Sequence, residues 1–394
     1  MPTLLLTETA LVASRDVIIK RLPHAALGTV ARVAALARLA DFATVATEKG
    51  VAVLTDESIA RNPTLNVPET HEMTRAIAEP ILSNLEQVGL TVPSLSLLPV
   101  SFPQAISISP IKIDNLTLQL CAHPDRQKVD YVLNGIRSGF HLGFHPDSCK
   151  LTSATTNCPS AKQHPSVIDD YLKKEVTLGR VLRPTNLPPI FNLHISRFGV
   201  IPKKGSGWRL ILDLSYPFGH SVNNGINKDE FALTYSKVKH AIDLIVKTGR
   251  GTLMGKVDIK SAYRIIPVHA SNRYLLGMSW RGKYYVDLTL PFGLRSAPAI
   301  FNSLADLFHW ILTHNWDVDD LLHYLDDYFT LGPAGSDVCA RLLGAIDTAA
   351  QYIGIPLSPE KCEGPSTCLI FLGIELDSIA MTARLPREKH VELM

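Results

Sequence analysis

Two adjacent carboxylates, Asp326 and Asp327, follow Tyr324 and Leu325 in a stretch of β-prone residues. The apolar residues on both sides predict two short strands joined by a turn at the acidic pair. Such a turn would present carboxylate oxygens, which are the ligands that a hard cation prefers. The alternative is a solvated turn, because acidic residues are common in tight turns. The neighbouring segments decide between these two interpretations.

A third carboxylate, Asp258, ends another apolar stretch. Residues 252–258 predict a short buried strand, followed by a turn into a helix. If the two strand ends lie side by side in one sheet, Asp258 and Asp326 come together, at an electrostatic cost that cations would remove. Two Mg²⁺ ions about 4 Å apart would neutralise the cluster and clamp an in-line phosphoryl displacement. The alternative role for Asp258 is that of a helix N-cap.

Between these two sites, a loop with Pro291 and Gly293 leads into a predicted helix. Pro298 suits the first turn of that helix, and Ser296 is a plausible cap. A glycine in such a loop would allow close approach to a nucleotide or a templating base. An ordinary core helix is the alternative. The apolar positions of the helix are Phe301, Leu304, Ala305, Phe308 and Ile311.

These blocks, in this order, resemble the reverse transcriptase family. They are residues 257–263 (VDIKSAY, motif A), 290–302 (LPFGLRSAPAIFN, motif B), 324–327 (YLDD, motif C), 354–362 (GIPLSPEKC, motif D) and 371–376 (FLGIEL, motif E). Residues 200–204 and 208–213 resemble the fingers strands of the family. The resemblance runs from about Ile168 to the C-terminus. The amino-acid sequences of these motifs are most similar to those of retrotransposons of the DIRS type, which pair a reverse transcriptase with a tyrosine recombinase.

The resemblance implies an α+β fold, with a right-hand polymerase palm, built as an antiparallel sheet with helices, plus fingers. The N-terminal region would be mostly helical or irregular. The implied activity is that of an RNA-directed DNA polymerase, which adds dNTPs to a primer 3′ end by two-metal phosphoryl transfer. The implied cofactor is Mg²⁺, as two ions, with Mn²⁺ as a substitute. The implied partners are dNTPs and an RNA or DNA template with its primer.

The resemblance also assigns catalytic roles to individual residues. Asp258, Asp326 and Asp327 would hold the metal ions, and the carbonyl of Ile259 would be a further ligand. Lys361 would lie near the leaving pyrophosphate as its proton donor. Phosphoryl transfer of this kind needs positioning and neutralised charge rather than a covalent intermediate.

The nucleotide-binding residues form a second group. Arg209 and either Lys203 or Lys204 would hold the triphosphate through their charge. Tyr263 would lie under the incoming sugar and exclude a 2′-hydroxyl. The nucleotide pocket would be lined by Phe292 and Gly293, and the primer grip would be Phe371, Leu372 and Gly373.

The chain has 394 residues with 46% hydrophobic content, which predicts two to three domains. We assign residues 1–110 to an N-terminal region of unknown role, partly helical with a Pro/Ser-rich linker, 111–166 to a connecting region, and 167–394 to fingers and palm. Helices are predicted near 129–136, 168–182 and 236–247, the last packing under the fingers. A thumb and a ribonuclease H domain are expected to be absent, as in a truncated copy.

Net charge is only +2, so bulk charge does not indicate a nucleic-acid partner. A local basic stretch does, because a groove that follows a nucleic-acid backbone needs positive charge. A solvated surface is the alternative interpretation. The stretch comprises Lys173, Lys174, Arg180, Arg183, Arg197, Lys203, Lys204 and Arg209.

The six cysteines form no Cys-x-x-Cys pair, which is typical of reduced thiols in an intracellular protein, in the cytoplasm or nucleus. No apolar run is long enough to span a membrane, so no membrane partner is expected. His141, His145, Cys149 and Cys158 have ligand-like side chains, although their spacing fits no known zinc motif. We therefore expect loop and core roles for these four residues, and a zinc site is the alternative.

Two rival functions remain open at this level. A truncated, non-catalytic remnant that binds nucleic acid would explain the missing domains, but it would not need all three aspartates. An RNA-dependent RNA polymerase would need a small or polar residue where Tyr263 stands. A recombinase or ribonuclease H encoded by the same element is a further expected partner.

Overall fold

The computed structural model describes residues 109–386, apart from residue 191 and residues 204–206. The helices of this part are α1 (Ile113–Gln119), α2 (Arg126–Ser138), α3 (Pro159–Gln163), α4 (Pro165–Thr177), α5 (Val238–Thr248), α6 (Ala297–Asn315) and α7 (Val338–Ile353). Its strands are β1 (Ile195–Pro202), β2 (Trp208–Asp213), β3 (Leu253–Asp258), β4 (Gly277–Trp280), β5 (Lys283–Val286), β6 (Leu322–Tyr324), β7 (Asp327–Gly332), β8 (Glu363–Ser366), β9 (Cys368–Phe371), β10 (Ile374–Asp377) and β11 (Thr382–Arg384).

The strands form three sheets. The palm sheet has the order β6-β7-β3-β8 and is antiparallel throughout. The fingers sheet has the order β2-β1-β4-β5, in which only the β1–β4 pair is parallel. The third sheet, β11-β10-β9, is antiparallel and follows the palm sheet in the chain. An antiparallel palm sheet covered by helices confirms the predicted α+β fold with palm and fingers.

The central palm strand β3 is covered on both faces. On one face, Gly255 lies against α7 so closely that a Cβ there would lie 2.7 Å from a methyl of Leu343. On the other face, Met254 packs in a cluster with Ala241 and Ile245 of α5. Helix α5 was predicted under the fingers. This was wrong, because its apolar face meets the palm strands and the third sheet instead.

Helix α6 confirms the sequence prediction at its apolar face and at Pro298, which lies in its first turn. All five predicted apolar positions are buried. Ser296 occupies the N-cap position, but its hydroxyl makes no capping hydrogen bond and is buried without a partner. The capping prediction was therefore wrong for the side chain, and only the Ser296 carbonyl accepts a hydrogen bond, from Ile300.

Helix α4 ends at Thr177, whereas the sequence predicted helix as far as residue 182. Gly179 has a φ of +69°, which ends the helical path. Beyond it the chain is extended, since the N–H of Leu182 donates to the carbonyl of Val286 at 2.9 Å. Residues 180–182 therefore pair with β5 and the residues that follow it rather than continue the helix.

The main core packs α6 and α7 against α1 and α2. Along the chain, its buried residues extend from Ile111 to Ile355. Helix α2 confirms the helix predicted near 129–136. The N–H of Lys112 donates to the carbonyl of Ile353 at 2.7 Å, which fastens the start of α1 to the end of α7.

Within the described residues, no helix combines the length and apolar content needed to cross a bilayer. The helix and linker predicted in residues 1–108 lie outside the described residues.

Candidate active site

A tight hairpin carries the adjacent carboxylates. Tyr324 of β6 pairs with Asp327 of β7, which leaves Leu325 and Asp326 as a two-residue turn. Leu325 has a φ of +53°, a conformation that is costly for a side chain other than glycine. Its side chain packs against the main core, which offsets that strain. The predicted hairpin is confirmed, with Asp326 in the turn and Asp327 as the first residue of β7.

The third carboxylate lies on the neighbouring strand, as the sequence predicted. Asp258 is the register partner of Asp327 at the end of the β3–β7 pair. One residue further, the N–H of Ile259 donates to the carbonyl of Asp326 at 2.9 Å. Asp258 does not cap a helix, because the short 3₁₀ helix that follows begins after Ser261. Strand pairing alone therefore gathers Asp258, Asp326 and Asp327.

Burial and mutual repulsion make this carboxylate cluster unfavourable when it is fully charged. Burial, together with the charges of Asp326 and Asp258, raises the pKa of Asp327 to about 6. Burial is also the main cause that raises the pKa of Asp326, with a further contribution from Asp258. A positive charge placed here would stabilise the charged carboxylates and so lower the pKa values of both Asp326 and Asp327.

One such charge comes from Lys361, in the 3₁₀ helix Pro359–Lys361. Its Nζ donates to both carboxylate oxygens of Asp258, at 3.1 Å and 3.0 Å. Partial burial works to lower the pKa of Lys361, but the hydrogen bond and the charge of Asp258 outweigh it and raise that pKa. Beside this pair is a cavity of about 200 Å³, lined by Lys256, Asp258, Asp327, Glu360, Lys361 and Glu363.

The donor set suits a hard cation by its chemistry, since it consists of carboxylate oxygens held next to one another. Both oxygens of Asp258 contact Lys361, however. Over residues 109–386, outside the gaps at 191 and 204–206, no three or more His, Cys, Asp or Glu side chains are arranged as metal ligands. A cation would therefore require the contact between Lys361 and Asp258 to open.

The zinc alternative is wrong, because the structure separates the four residues that suggested it. His141 stacks against His269, with ring centroids 4.1 Å apart. The Nε2 of His145 lies 3.4 Å from a carboxylate oxygen of Glu230. The Cys149 thiol donates to the carbonyls of Gly219 and Ser221, at 3.4 and 3.5 Å, and Cys158 lies beside Gly199.

Three of the predicted nucleotide-pocket residues lie together. The ring of Tyr263 is 5.2 Å from that of Phe292 and 5.8 Å from that of Phe301. Burial and, next, the charge of Asp326 raise the pKa of Tyr263 to about 12, so its hydroxyl stays protonated. Gly293 has a φ of +93° and would place a Cβ 3.1 Å from the carbonyl of Leu212 in β2. Only glycine suits this close crossing between strand β2 and the loop that contains Phe292 and Gly293, which we call the pocket loop.

Asn223 fixes this pocket loop, and sequence reasoning missed it. Its side-chain amide donates to the carbonyl of Gly293 at 2.9 Å and to the hydroxyl of Ser215 at 2.9 Å. Its side-chain oxygen accepts from the N–H of Arg295 at 2.8 Å. No local motif distinguishes a buried asparagine of this kind, so only the tertiary contacts reveal it.

The predicted triphosphate-binding residues lie on the fingers hairpin of β1 and β2. Lys203 and Arg209 are exposed and do not line the cavity at the carboxylates. Lys204 lies outside the described residues. Elsewhere in the predicted basic stretch, Arg197 is held by Asp213 at 2.8 Å, so its charge is already paired.

The predicted primer grip is a second tight hairpin. Phe371 of β9 pairs with Ile374 of β10, and the turn residues Leu372 and Gly373 have φ values of +48° and +80°. Phe371 itself is buried against Phe329 of the palm, with ring centroids 4.9 Å apart. Leu372 and Gly373 are therefore the more accessible part of this hairpin.

Lys256 is another residue that sequence reasoning missed. It precedes Asp258 by two positions on β3 and so lies on the same face of the sheet. Its Nζ lies 2.8 Å from a carboxylate oxygen of Glu363 and donates to the carbonyl of Ile370 at 3.1 Å. The two-residue period of the strand was the signal that could have identified it.

Comparisons with known proteins find similar chains. Residues 201–376 match the family model described as reverse transcriptase (RNA-dependent DNA polymerase). Over 200 residues the chain is 23% identical to the retrovirus-related Pol polyprotein from transposon 412 of Drosophila melanogaster, covering 49% of this chain and 15% of that protein. Over 195 residues it is 27% identical to the Gag-Pro-Pol polyprotein of Mason-Pfizer monkey virus, covering 46% of this chain and 10% of that protein.

Solved structures of foamy viral protease-reverse transcriptase are also similar. The complex with an RNA/DNA hybrid is 17% identical and has a TM-score of 0.49, covering 79% of this chain and 40% of that one. The complex with dsDNA is 22% identical and has a TM-score of 0.42, covering 62% and 44%. The chain thus spans a small part of its curated relatives and less than half of these solved chains. Residues 201–376 thus match the reverse transcriptase family model, and the chain is similar to Pol polyproteins of a transposon and a retrovirus.

Proposed function

We propose that this chain is an RNA-directed DNA polymerase core that adds dNTPs to a primer 3′ end by two-metal phosphoryl transfer. The observation that carries the proposal is the register of the palm sheet. Asp258 and Asp327 are direct partners across two strands, and Asp326 lies in the adjoining turn. Three carboxylates gathered by the main chain, at high electrostatic cost, suit a site whose working state holds divalent cations.

The chain's own residues would divide the work as follows. Asp258, Asp326 and Asp327 would hold two Mg²⁺ or Mn²⁺ ions, with the Ile259 carbonyl as a further ligand. Bound cations of this kind neutralise charge on the transferred phosphoryl group and orient the attacking oxygen. Lys361 carries a proton within reach of the cluster and would give it to the leaving pyrophosphate.

The surrounding residues would select and orient the nucleotide. Tyr263, packed between Phe292 and Phe301, would fill the space that a 2′-hydroxyl needs. Gly293 would let the pocket loop approach the base. Arg209, with Lys203 or Lys204, would close on the triphosphate. The turn at Leu372 and Gly373, with Phe371 behind it, would guide the primer end.

The wider context follows from the same proposal. The substrate would be an RNA or DNA template with its primer, in the cytoplasm or nucleus. Residues 167–394 would act as fingers and palm, and 111–166 as a connecting region. The amino-acid sequences of the motifs favour an element of the DIRS type. A recombinase or ribonuclease H encoded by the same element would be a partner of this enzyme.

Primer extension with the purified full chain tests the proposal. A primed RNA template, Mg²⁺ and dNTPs should yield extended DNA, while rNTPs should not. Asp258→Asn should abolish extension while the far-ultraviolet circular dichroism stays that of the parent. Absence of extension by a folded parent would favour a non-catalytic remnant that binds nucleic acid. Efficient use of rNTPs would favour an RNA polymerase.

A further inference from the structure

The contact between Lys361 and Asp258 occupies the carboxylate that the proposed mechanism gives to the cations. A single ammonium group donates to both oxygens of Asp258, at 3.1 and 3.0 Å. Asp258 is also the most deeply buried of the three aspartates, with its side chain 9% exposed. The oxygens that a cation would need from this residue are therefore already engaged.

The backbone holds Lys361 in this place. The N–H of Ser358 donates to the carbonyl of Asp258 at 2.9 Å. The N–H of Lys361 donates in turn to the carbonyl of Ser358, also at 2.9 Å. The segment that carries the lysine is thus hydrogen-bonded to the backbone of the aspartate that the lysine neutralises, which keeps the ammonium group within reach of Asp258.

The two partners differ in their freedom to move. The side chain of Lys361 is 60% exposed, so its ammonium group can swing into water, where its hydration costs little. Asp258 lies at the end of a paired strand and cannot follow. An ammonium group and a divalent cation repel each other and compete for the same oxygens. When a cation arrives, the lysine is the partner that leaves.

We propose that Lys361 is a stand-in cation, which holds Asp258 in the cation-free chain and must be displaced before a divalent cation binds. Lys361 thereby sets the cation concentration at which the site fills. This inference rests on the proposed function, because it takes Asp258 as a cation ligand. It adds a role for Lys361 that precedes any contact with a nucleotide.

Lys256 provides a matched control within the same cavity. Its ammonium group also faces the carboxylates, but it is engaged by Glu363 at 2.8 Å and by the carbonyl of Ile370 at 3.1 Å. Removal of either lysine takes one positive charge from the cavity. Only removal of Lys361 also frees the oxygens of Asp258, so the difference between the two variants isolates displacement from general electrostatics.

The experiment is a Mn²⁺ titration of the full chain without nucleotide. The concentration of free Mn²⁺ is measured by electron paramagnetic resonance. The parent is compared with Lys361→Met, Lys361→Arg, Lys256→Met and Asp258→Asn, and only binding that Asp258→Asn removes is counted. Lys361→Met should lower the Mn²⁺ dissociation constant roughly two- to five-fold more than Lys256→Met does, in line with a partly exposed ion pair. Lys361→Arg keeps charge and reach and should bind Mn²⁺ as the parent does.

Equal dissociation constants for Lys361→Met and Lys256→Met would overturn the inference, as would weaker binding by Lys361→Met. Those results would leave the proposed function standing, provided that Asp258→Asn still abolishes binding. If Mn²⁺ binds equally well to the parent and to Asp258→Asn, the carboxylate cluster is not the cation site, and both proposals fail. Lys361 is largely exposed, so its variants should fold, and circular dichroism at matched concentrations checks this.

Discussion

The palm sheet and the fingers hairpin hold their charged residues in opposite ways. In the palm, Asp258 and Asp327 are fixed by strand register, and Asp258 is buried. In the fingers, Lys203 and Arg209 lie exposed on a hairpin. The palm arrangement is fixed by main-chain pairing and carries an electrostatic cost. The fingers arrangement costs little, because its exposed charges are hydrated.

This difference suggests a division of labour. Carboxylates that serve a compact cation must be close together in advance, since a few tenths of an ångström decide coordination. Basic side chains that serve a flexible triphosphate can close on it after it has bound. Substitutions in the palm should therefore remove the chemical step, whereas substitutions in the fingers should mainly weaken nucleotide affinity.

The largest effect is expected for Asp326→Asn. It removes one charge from the turn of the cluster, and the loss of several kcal/mol of transition-state stabilisation lowers kcat roughly 10³-fold or more. The melting temperature should hold or rise, because burial and repulsion already disfavour this carboxylate. Asp243→Asn, on the exposed face of α5 and paired with Lys239, is the control. Single-turnover primer extension measures the rate of both variants. A near-parental kcat for Asp326→Asn would show that the palm carboxylates do not determine the chemical step.

Tyr263→Val should give the next largest effect, on selectivity rather than on rate. The tyrosine ring packs against Phe292 and Phe301, so a smaller side chain would open space where the proposed function places the nucleotide sugar. The ratio of kcat/KM for dNTP to that for rNTP should fall by about 10- to 100-fold, with dNTP use retained. Tyr352→Val, at a partly exposed position on α7, should leave the ratio unchanged. An unchanged ratio in Tyr263→Val would reduce this residue to a core aromatic.

Arg209→Ala should have a smaller effect, confined to the nucleotide. Loss of one charge-assisted contact to phosphate should raise the KM for dNTP about tenfold, with little change in melting temperature. Arg341→Ala, which loses an exposed arginine from α7, should change neither quantity. If Arg209→Ala instead lowers stability and leaves the kinetics intact, the fingers arginine is structural and the contrast with the palm disappears.

The smallest effect is a pH dependence of the fingers sheet. Burial lowers the pKa of His194 from the ordinary 6.5 to about 4, so the unfolded chain takes up this proton first as the pH falls. The contribution of a neutral His194 to stability is full above pH 6.5 and is lost as the pH falls towards 4. Hydrogen exchange of β1 and β4 should accelerate between pH 6.5 and 4.5, after correction for intrinsic exchange. The acceleration should be smaller in His194→Leu, and an equal acceleration in both chains would contradict the assignment.

The palm could be predicted from the sequence because its information is local. The strand that ends at Asp258, the hairpin at Leu325 and Asp326, and the helix that carries Phe301 each follow from apolar periodicity over a few residues. Two strand ends in one sheet then bring Asp258 next to Asp327. The residues that complete the pocket could not be found in this way, because Asn223 acts on the loop of Gly293 through a contact 70 residues away in sequence.

Where predictions were wrong, a tertiary contact outweighed the local pattern. Helix α4 ends early because Gly179, with its positive φ, turns the chain and Leu182 then pairs with Val286. Helix α5 has an apolar face that could have packed under either sheet, and Met254 of the palm is what it meets. The hydroxyl of Ser296 faces a packed interior rather than a helix N–H. Periodicity indicates that a face is buried, but it does not indicate which partner covers it.

The hydrogen bond that joins Lys112 to Ile353 has a consequence for biosynthesis. Its two residues are separated by 241 positions, and the core they close includes both α1 and α7. During translation, α1 and α2 leave the ribosome long before α7, which contacts α1, and α6, which contacts α2, have been made. We therefore expect this core to close only after α7 has been made, late in the synthesis of the described residues. A fragment cut at residue 201, where the family match begins, would lack those helices and should aggregate.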